Sequence, residues 1–368
     1  MLQRRRRTAQ VRALGFRPPL FALDAELEWV LQRAFGALTW SPTSHLDGKT
    51  AVDAALRLDM AGRIAARQPR ELLEKEMGSD AAQRLREQYI GIVAREALLE
   101  HALQQLLEQA QAAAVPCILL KYAALNRMGA LRVGARSASD LDVLVPQASA
   151  RHFQGLLVQN GYEEIGLPES AHQLPALQDR NGALIEVHVH VPAMTLGRGQ
   201  PFATADDLIA AGLTRPSGSA LLPDPAFIAA HALAHGLVQH ARAPHMYSAL
   251  KAFADLADLE QAGHGALEGL GVFLTAAMTQ EDLTSALTLA RALQRGDLET
   301  AMTGPPGVLL RHALASQLDR GYALRLRLRV LTHPGPTPLH LSAGRLLSAL
   351  REAWHWARSL APNSRKRA

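Results

Sequence analysis

The sequence carries a single cysteine, Cys117, in 368 residues. That count excludes an internal disulfide and fits a reducing compartment such as the cytoplasm. Aromatic residues amount to only 5%, so the core must rest on Leu, Ala and Val, which favours helices. The same scarcity removes the interleaved rings of a single-strand stacking platform. No apolar run reaches the length of a membrane span, and the first residues lack a signal peptide's apolar segment. Neither a Walker or dinucleotide phosphate loop nor a Gly-x-Ser-x-Gly elbow is present. His231 and His235 stand four apart, but Ala232 occupies the place where a His-Glu-x-x-His metalloprotease needs its glutamate. The chain is thus expected to be cytoplasmic and to have no membrane partner.

What is there is ample for a core: 48% of residues are hydrophobic and 20% charged, enough for two or three packed units. The net charge of +5 is unevenly spread, with Arg4 to Arg7 at one end and Arg365, Lys366 and Arg367 at the other. Such runs read as solvated tails; attraction to nucleic acid is the sharper and less favoured alternative. Pattern divides the chain into a basic tail (1–20), an N-terminal helical region (21–113), an α/β core (114–200), a C-terminal helical region (201–361) and a second basic tail (362–368). In the first helical region a long helix is expected to run to about residue 113, N-capped by Ser79. Leu85, Tyr89, Ile92, Leu99, Leu103, Leu106 and Ala110 share its inner face. Residues 192–223 read as a connection with one short helix near Asp206. Beyond Asp224 the spacing predicts helices near 224–240, 246–262, 268–295, 305–330 and 341–360. Asp255 and Asp258 are expected to be solvated or capping, and His231, His235, His240 and His245 to pack or face solvent.

Chemistry concentrates in the α/β core. Cys117-Ile-Leu-Leu120 suits a buried strand that delivers Lys121 at its end. The stretch Arg136-Ser-Ala-Ser-Asp140-Leu-Asp142-Val-Leu-Val145 ends in an alternating apolar run interrupted by two carboxylates. On a strand both leave on one face, with Cβ atoms roughly 6.5–7 Å apart. Carboxylates held that close repel unless protons or cations intervene. A hairpin is expected to join 172–178 and 183–191 through the Asp179-Arg-Asn-Gly182 turn. Its second arm places Glu186, His188 and His190 on one face and Ile185, Val187, Val189 and Val191 on the other. If these strands are neighbours, Asp140, Asp142 and Glu186 meet, an oxygen-rich set of the kind Mg²⁺ takes. That set would suit phosphoryl or nucleotidyl transfer. Lys121 and Arg136 lie in flanking loops where cations could contact phosphates, although each taken alone reads first as a solvated surface cation. His188 is placed to support Glu186 or orient a phosphate. A zinc site on His188 and His190 is the alternative, and it would leave the aspartate pair without a joint role.

The order Ile118-Leu-Leu-Lys121, Arg136-x-x-x-Asp140-Leu-Asp142-Val-Leu-Val145, Gly161-Tyr162 and Ile185-Glu-Val-His188 resembles the uncharacterised nucleotidyltransferase family within the DNA polymerase beta-like nucleotidyltransferase superfamily. The resemblance covers 115–191 well and extends weakly through His231, His235 and Asp255. It implies an α+β fold, a small mixed sheet of the polymerase beta-like type between N-terminal helices and a C-terminal helical region. It also implies an Mg²⁺-dependent enzyme, Mn²⁺ being a possible substitute, that moves an NMP from an NTP to an acceptor. The acceptor is not identified: a small molecule, a peptide, a protein or an RNA end all fit. Asp140, Asp142 and Glu186 would be the catalytic and metal-binding carboxylates, and Lys121, Arg136 and His188 would contact the nucleotide or its cation. One departure stands out. Tyr122 occupies the place of the family's glycine, where close backbone approach to phosphate favours no side chain. A catalytically weak binding or regulatory module on the same fold is therefore the alternative expectation.

Overall fold

Four short helices open the described chain because local signals start and stop each one. Asp24 caps α1 (Ala25–Phe35) through a bond from the Leu27 amide, and Gly36 ends it in the left-handed region at φ 97°. Asp47 caps α2 (Gly48–Arg57), α3 (Ala61–Arg67) stops before Gln68-Pro69, and α4 (Arg70–Met77) follows. The long helix α5 runs Ser79–Ala112. Its cap residue is Gly78, not Ser79, which is instead the first helical residue and makes no capping bond. The expected face is otherwise in place: Leu85, Ile92, Leu99, Leu103, Leu106 and Ala110 are buried, while Tyr89 is half-buried. The structure, a computed structural model, describes residues 14–20, 23–36, 46–165, 172–196, 202–240, 247–275 and 277–332, with side chains to 326.

The sheet follows. In chain order come β1 (Ile118–Leu119), α6 (Lys121–Arg127), β2 (Asp140–Leu144), α7 (Gln147–Gln159), β3 (Glu163–Glu164), β4 (Leu177–Gln178) and β5 (Leu184–His188). The Asp179 side chain closes the β4–β5 turn by accepting from the Asn181 and Ala183 amides. The chain then makes β6 (Val191–Pro192), β7 (Phe202–Ala203), α8 (Ala205–Ala210), β8 (Thr214–Ser217) and β9 (Ala220–Pro223). Seven strands form one mixed sheet in the order β3-β4-β5-β2-β1-β9-β8, and β6 pairs with β7 separately. The stretch 192–223 is thus more than a connection with a helix: it supplies two strands of the main sheet. These strands are short, and β8 carries Pro216, which an edge strand tolerates because one of its sides needs no ladder donor.

After the sheet the chain is helical. α9 (Pro225–Leu233) runs on as a π-helical segment, Ala234–Gln239, and α10 (Ala249–Gln261) follows. Then come α11 (Gly271–Leu274), α12 (Gln280–Arg295), α13 (Leu298–Met302), α14 (Gly304–Leu318) and α15 (Arg320–Thr332). The single helix expected over 268–295 is two, because Thr279 caps α12 afresh. The helix expected at 341–360 and the basic runs at both ends lie outside the described residues. The described residues up to Leu326 make one compact unit, and one apolar cluster joins the opening helices, the sheet and the helices after it. The protein is an α+β fold with a small mixed sheet. Among the described residues no helix is long and apolar enough to cross a membrane.

Candidate active site

The site is built by register. β2 and β5 pair in parallel, with Asp142 opposite Glu186 and Leu144 opposite His188. Side chains that are partners or two residues apart share a face, so Asp142, Glu186 and His188 converge. One potential ligand atom from each lies within 4.8 Å of the others. His188 Nε2 is 2.9 Å from Asp142 Oδ1 and 3.5 Å from Glu186 Oε2. Lys121 arrives from the third side. The Leu120 amide bonds to the Asp142 carbonyl, and Lys121, the first residue of α6, sets its Nζ 2.6 Å from the same Asp142 Oδ1. Its backbone stands at φ 44°, a region that side chains other than glycine seldom adopt. Asp140 lies on the same face two residues earlier, its Oδ1 accepting from Ser139 Oγ at 3.1 Å, and it does not join the close group.

Burial decides the charges. Asp142 and His188 are buried, whereas the Glu186 and Lys121 side chains remain 18% and 16% exposed. Burial alone would raise the Asp142 carboxyl; Lys121 and His188 more than reverse it and hold it far below the usual carboxylate range. For Asp140, burial together with the Asp142 and Glu186 charges outweighs Lys121 and the Ser139 hydroxyl, and its carboxyl is raised. Lys121 is likewise opposed by burial, but Asp142, Asp140 and Glu186 keep it charged. For His188, burial is overcome by hydrogen bonds to Asp142 and Glu186, which raise its pKa. The site therefore holds two carboxylates, Asp142 and Glu186, and one imidazole, His188, and Asp142 already collects positive charge. That donor set could hold a divalent metal ion.

Arg136 is elsewhere employed. Its Nε and Nη2 grip Asp255 Oδ1 and Oδ2 at 2.7 and 3.0 Å in a buried, bidentate pair. Asp255 and Asp258 are buried rather than solvated, the second paired with Arg63. Beside Arg136, Ser137 Oγ lies 2.7 Å from both oxygens of Asp59, and Lys251 Nζ reaches Asp59 Oδ2 at 2.7 Å and Ser137 Oγ at 2.9 Å. These contacts fasten the loop that leads into β2. Nothing local marks Asp59 or Lys251, whose partners lie 78 and 114 residues away at Ser137. Tyr122 does not project into the site. Its side chain is buried in the core, and burial with the nearby Glu96 and Glu100 of α5 raises its phenol.

A second wall of imidazoles stands close by. The His172 ring centroid is 5.7 Å from that of His188, and His190 packs against Phe202 at 4.6 Å. Among the described residues His190 does not join the close ligand group. His231 and His235 are both buried, and His235 and His240 bring their Nε2 atoms to 3.0 Å.

A family model described as "Uncharacterised nucleotidyltransferase" matches residues 45–293. No curated protein and no solved structure matches the chain. The matched span runs from just before α2 into α12 and contains the whole sheet, Lys121, Asp140, Asp142, Glu186 and His188, together with the Arg136–Asp255 pair. The chain belongs to the uncharacterised nucleotidyltransferase family.

Proposed function

We propose that this protein is a divalent-cation-dependent nucleotidyltransferase that moves a nucleoside monophosphate from an NTP to an acceptor. The observation that carries this reading is the parallel register that sets Asp142 against Glu186 and, with His188, gathers three donor atoms within 4.8 Å. Asp142 and Glu186 would hold the cation, and Asp140, on the same face, offers the further carboxylate that a second ion would share. When bound, Mg²⁺ or Mn²⁺ would neutralise phosphate charge and make the acceptor hydroxyl more acidic. His188 fixes the rotamer of Asp142 through the 2.9 Å contact. Lys121 is the cation nearest these carboxylates and would meet the phosphates. Arg136 holds the preceding loop and is not assigned to phosphate. The burial of Tyr122 in the core takes its side chain away as an obstacle to a nucleotide, and the proposed setting is the cytoplasm. The acceptor is a small molecule, peptide, protein or RNA end; binding to nucleic acid through the basic ends is not favoured.

The test is label transfer. Protein, Mg²⁺ and each α-³²P-labelled NTP in turn are incubated with a fractionated lysate. Wild type is expected to label one fraction with one NTP preferred, and Asp142→Asn to label none while keeping its far-UV spectrum. Failure of wild type to bind any of the four NTPs in the presence of Mg²⁺ or Mn²⁺ would rule the reading out.

A further inference from the structure

The carboxylate best placed to hold a metal ion already carries a cation. Asp142 Oδ1 takes Lys121 Nζ at 2.6 Å and His188 Nε2 at 2.9 Å, so both lone pairs of that oxygen are engaged. The Asp142 side chain is only 1% exposed, and water does not compete for it. An ion that binds through this oxygen must displace a donor. His188 is the less free of the two, being buried and set by the sheet register opposite Leu144. Lys121 reaches Asp142 on a flexible four-carbon stem and stays 16% exposed, as Glu186 stays 18% exposed. Its backbone is held at φ 44°, an unfavourable conformation for a lysine that persists only where the surroundings enforce it.

From this geometry we infer that Lys121 selects the ion–nucleotide pair over the free ion, by occupying Asp142 until the phosphates of an NTP draw its ammonium away. The inference rests on the metal-dependent reading above. Without nucleotide, an incoming Mg²⁺ trades one cation for another and leaves an ammonium beside it, so free-ion affinity is low. A triphosphate gives the ammonium a new anionic partner and frees Asp142 in the same event. Ion and nucleotide then bind with positive coupling, and the coupling is reciprocal: each strengthens the other by the same factor. Lys121 thus determines specificity by charge exchange, with no bond to the reacting atoms made or broken.

The experiment measures Mn²⁺ binding by electron paramagnetic resonance. It is done alone and with saturating αβ-methylene analogues of ATP, GTP, CTP and UTP in turn, on wild type, Lys121→Met and Lys121→Gln. For wild type, affinity is expected to be weak alone and to rise about 5- to 150-fold with the preferred analogue, the usual span of such couplings. In the neutral variants nucleotide-free Mn²⁺ affinity is expected to rise about tenfold or more, and the coupling to fall towards one. Should a variant lose stability, its melting temperature is followed with and without Mn²⁺, and a larger Mn²⁺-induced rise than in wild type is the supporting result. Equal or weaker Mn²⁺ binding by folded variants overturns the role of Lys121 and leaves the metal site standing. Absence of Mn²⁺ binding in all three proteins overturns the metal-dependent reading and this inference with it.

Discussion

Asp142 and Tyr122 show how differently single residues declare themselves. The aspartate was legible because a period of two places it on the face of Asp140, and the same period places Glu186 and His188 on one face of β5. That His188 bonds Asp142 was not legible, since the two lie 46 residues apart and only the parallel register joins them. His188→Gln should lower Mn²⁺ affinity about 10- to 100-fold, the range for groups that orient a ligand, as read by titration of the paramagnetic signal. A smaller change would mean that Asp142 keeps its orientation unaided. Tyr122 gave the opposite lesson. Its sequence position beside Lys121 suggests an obstacle to phosphate, yet its ring is core packing. Restoring the family's residue by Tyr122→Gly should therefore destabilise the fold by about 3–5 kcal/mol, as for other buried aromatic truncations. NTP affinity should stay within about threefold of wild type. Urea unfolding reads the first effect, and calorimetry the second; a large gain in affinity would show that the tyrosine does hinder the nucleotide.

Elements are held by contacts that no local pattern announces. The loop into β2 is fixed by Arg136–Asp255 and by the Asp59, Ser137 and Lys251 cluster, which ties α10 and the turn after α2 to the strand bearing the aspartates. A buried pair of this kind is strongly destabilising to break and neutral to replace. Asp255→Ala should lose about 3–5 kcal/mol, while Arg136→Met with Asp255→Leu should recover most of that loss. Urea midpoints of Asp255→Ala and of the double variant decide it, and equal losses in the two would contradict this account. The helices were readable where caps and periodicity agree, as at Asp24, Asp47 and the buried stripe of α5. β8 and β9 were not, because four-residue strands with Pro216 and Pro223 carry turn chemistry in their own sequences. Their strand character comes from the neighbours they pair with.

At the scale of the molecule, buried and half-buried histidines couple stability to pH. Burial pushes His172, His231 and His312 down to about 3, whereas an unfolded histidine titrates near 6.5. Between those values the unfolded chain binds more protons, so stability is complete above about pH 6.5 and falls as pH drops towards 3. Each group contributes a slope of up to ~1.4 kcal/mol per pH unit in that window. His312 lies in the helical region, its Nδ1 3.0 Å from the Tyr322 hydroxyl, and His312→Gln should flatten the slope between pH 4 and 6 by about that amount. Unfolding midpoints across that range measure it, and an unchanged slope would show that His312 is protonated in the fold. The sheet order has a consequence of another kind, in time. β1 carries Lys121 to the site with β2 on one side and β9 on the other, through Ile118 opposite Leu221. At ribosomal speeds, the roughly 100 residues between them take about 5–20 s to emerge. Throughout that interval β2 can already be paired while the outer edge of β1 stands bare, an unpaired strand of the sort that recruits other chains. The span of synthesis between Ile118 and Leu221 is therefore when the nascent protein is most exposed to aggregation, and translation arrested before Ala220 would leave it there.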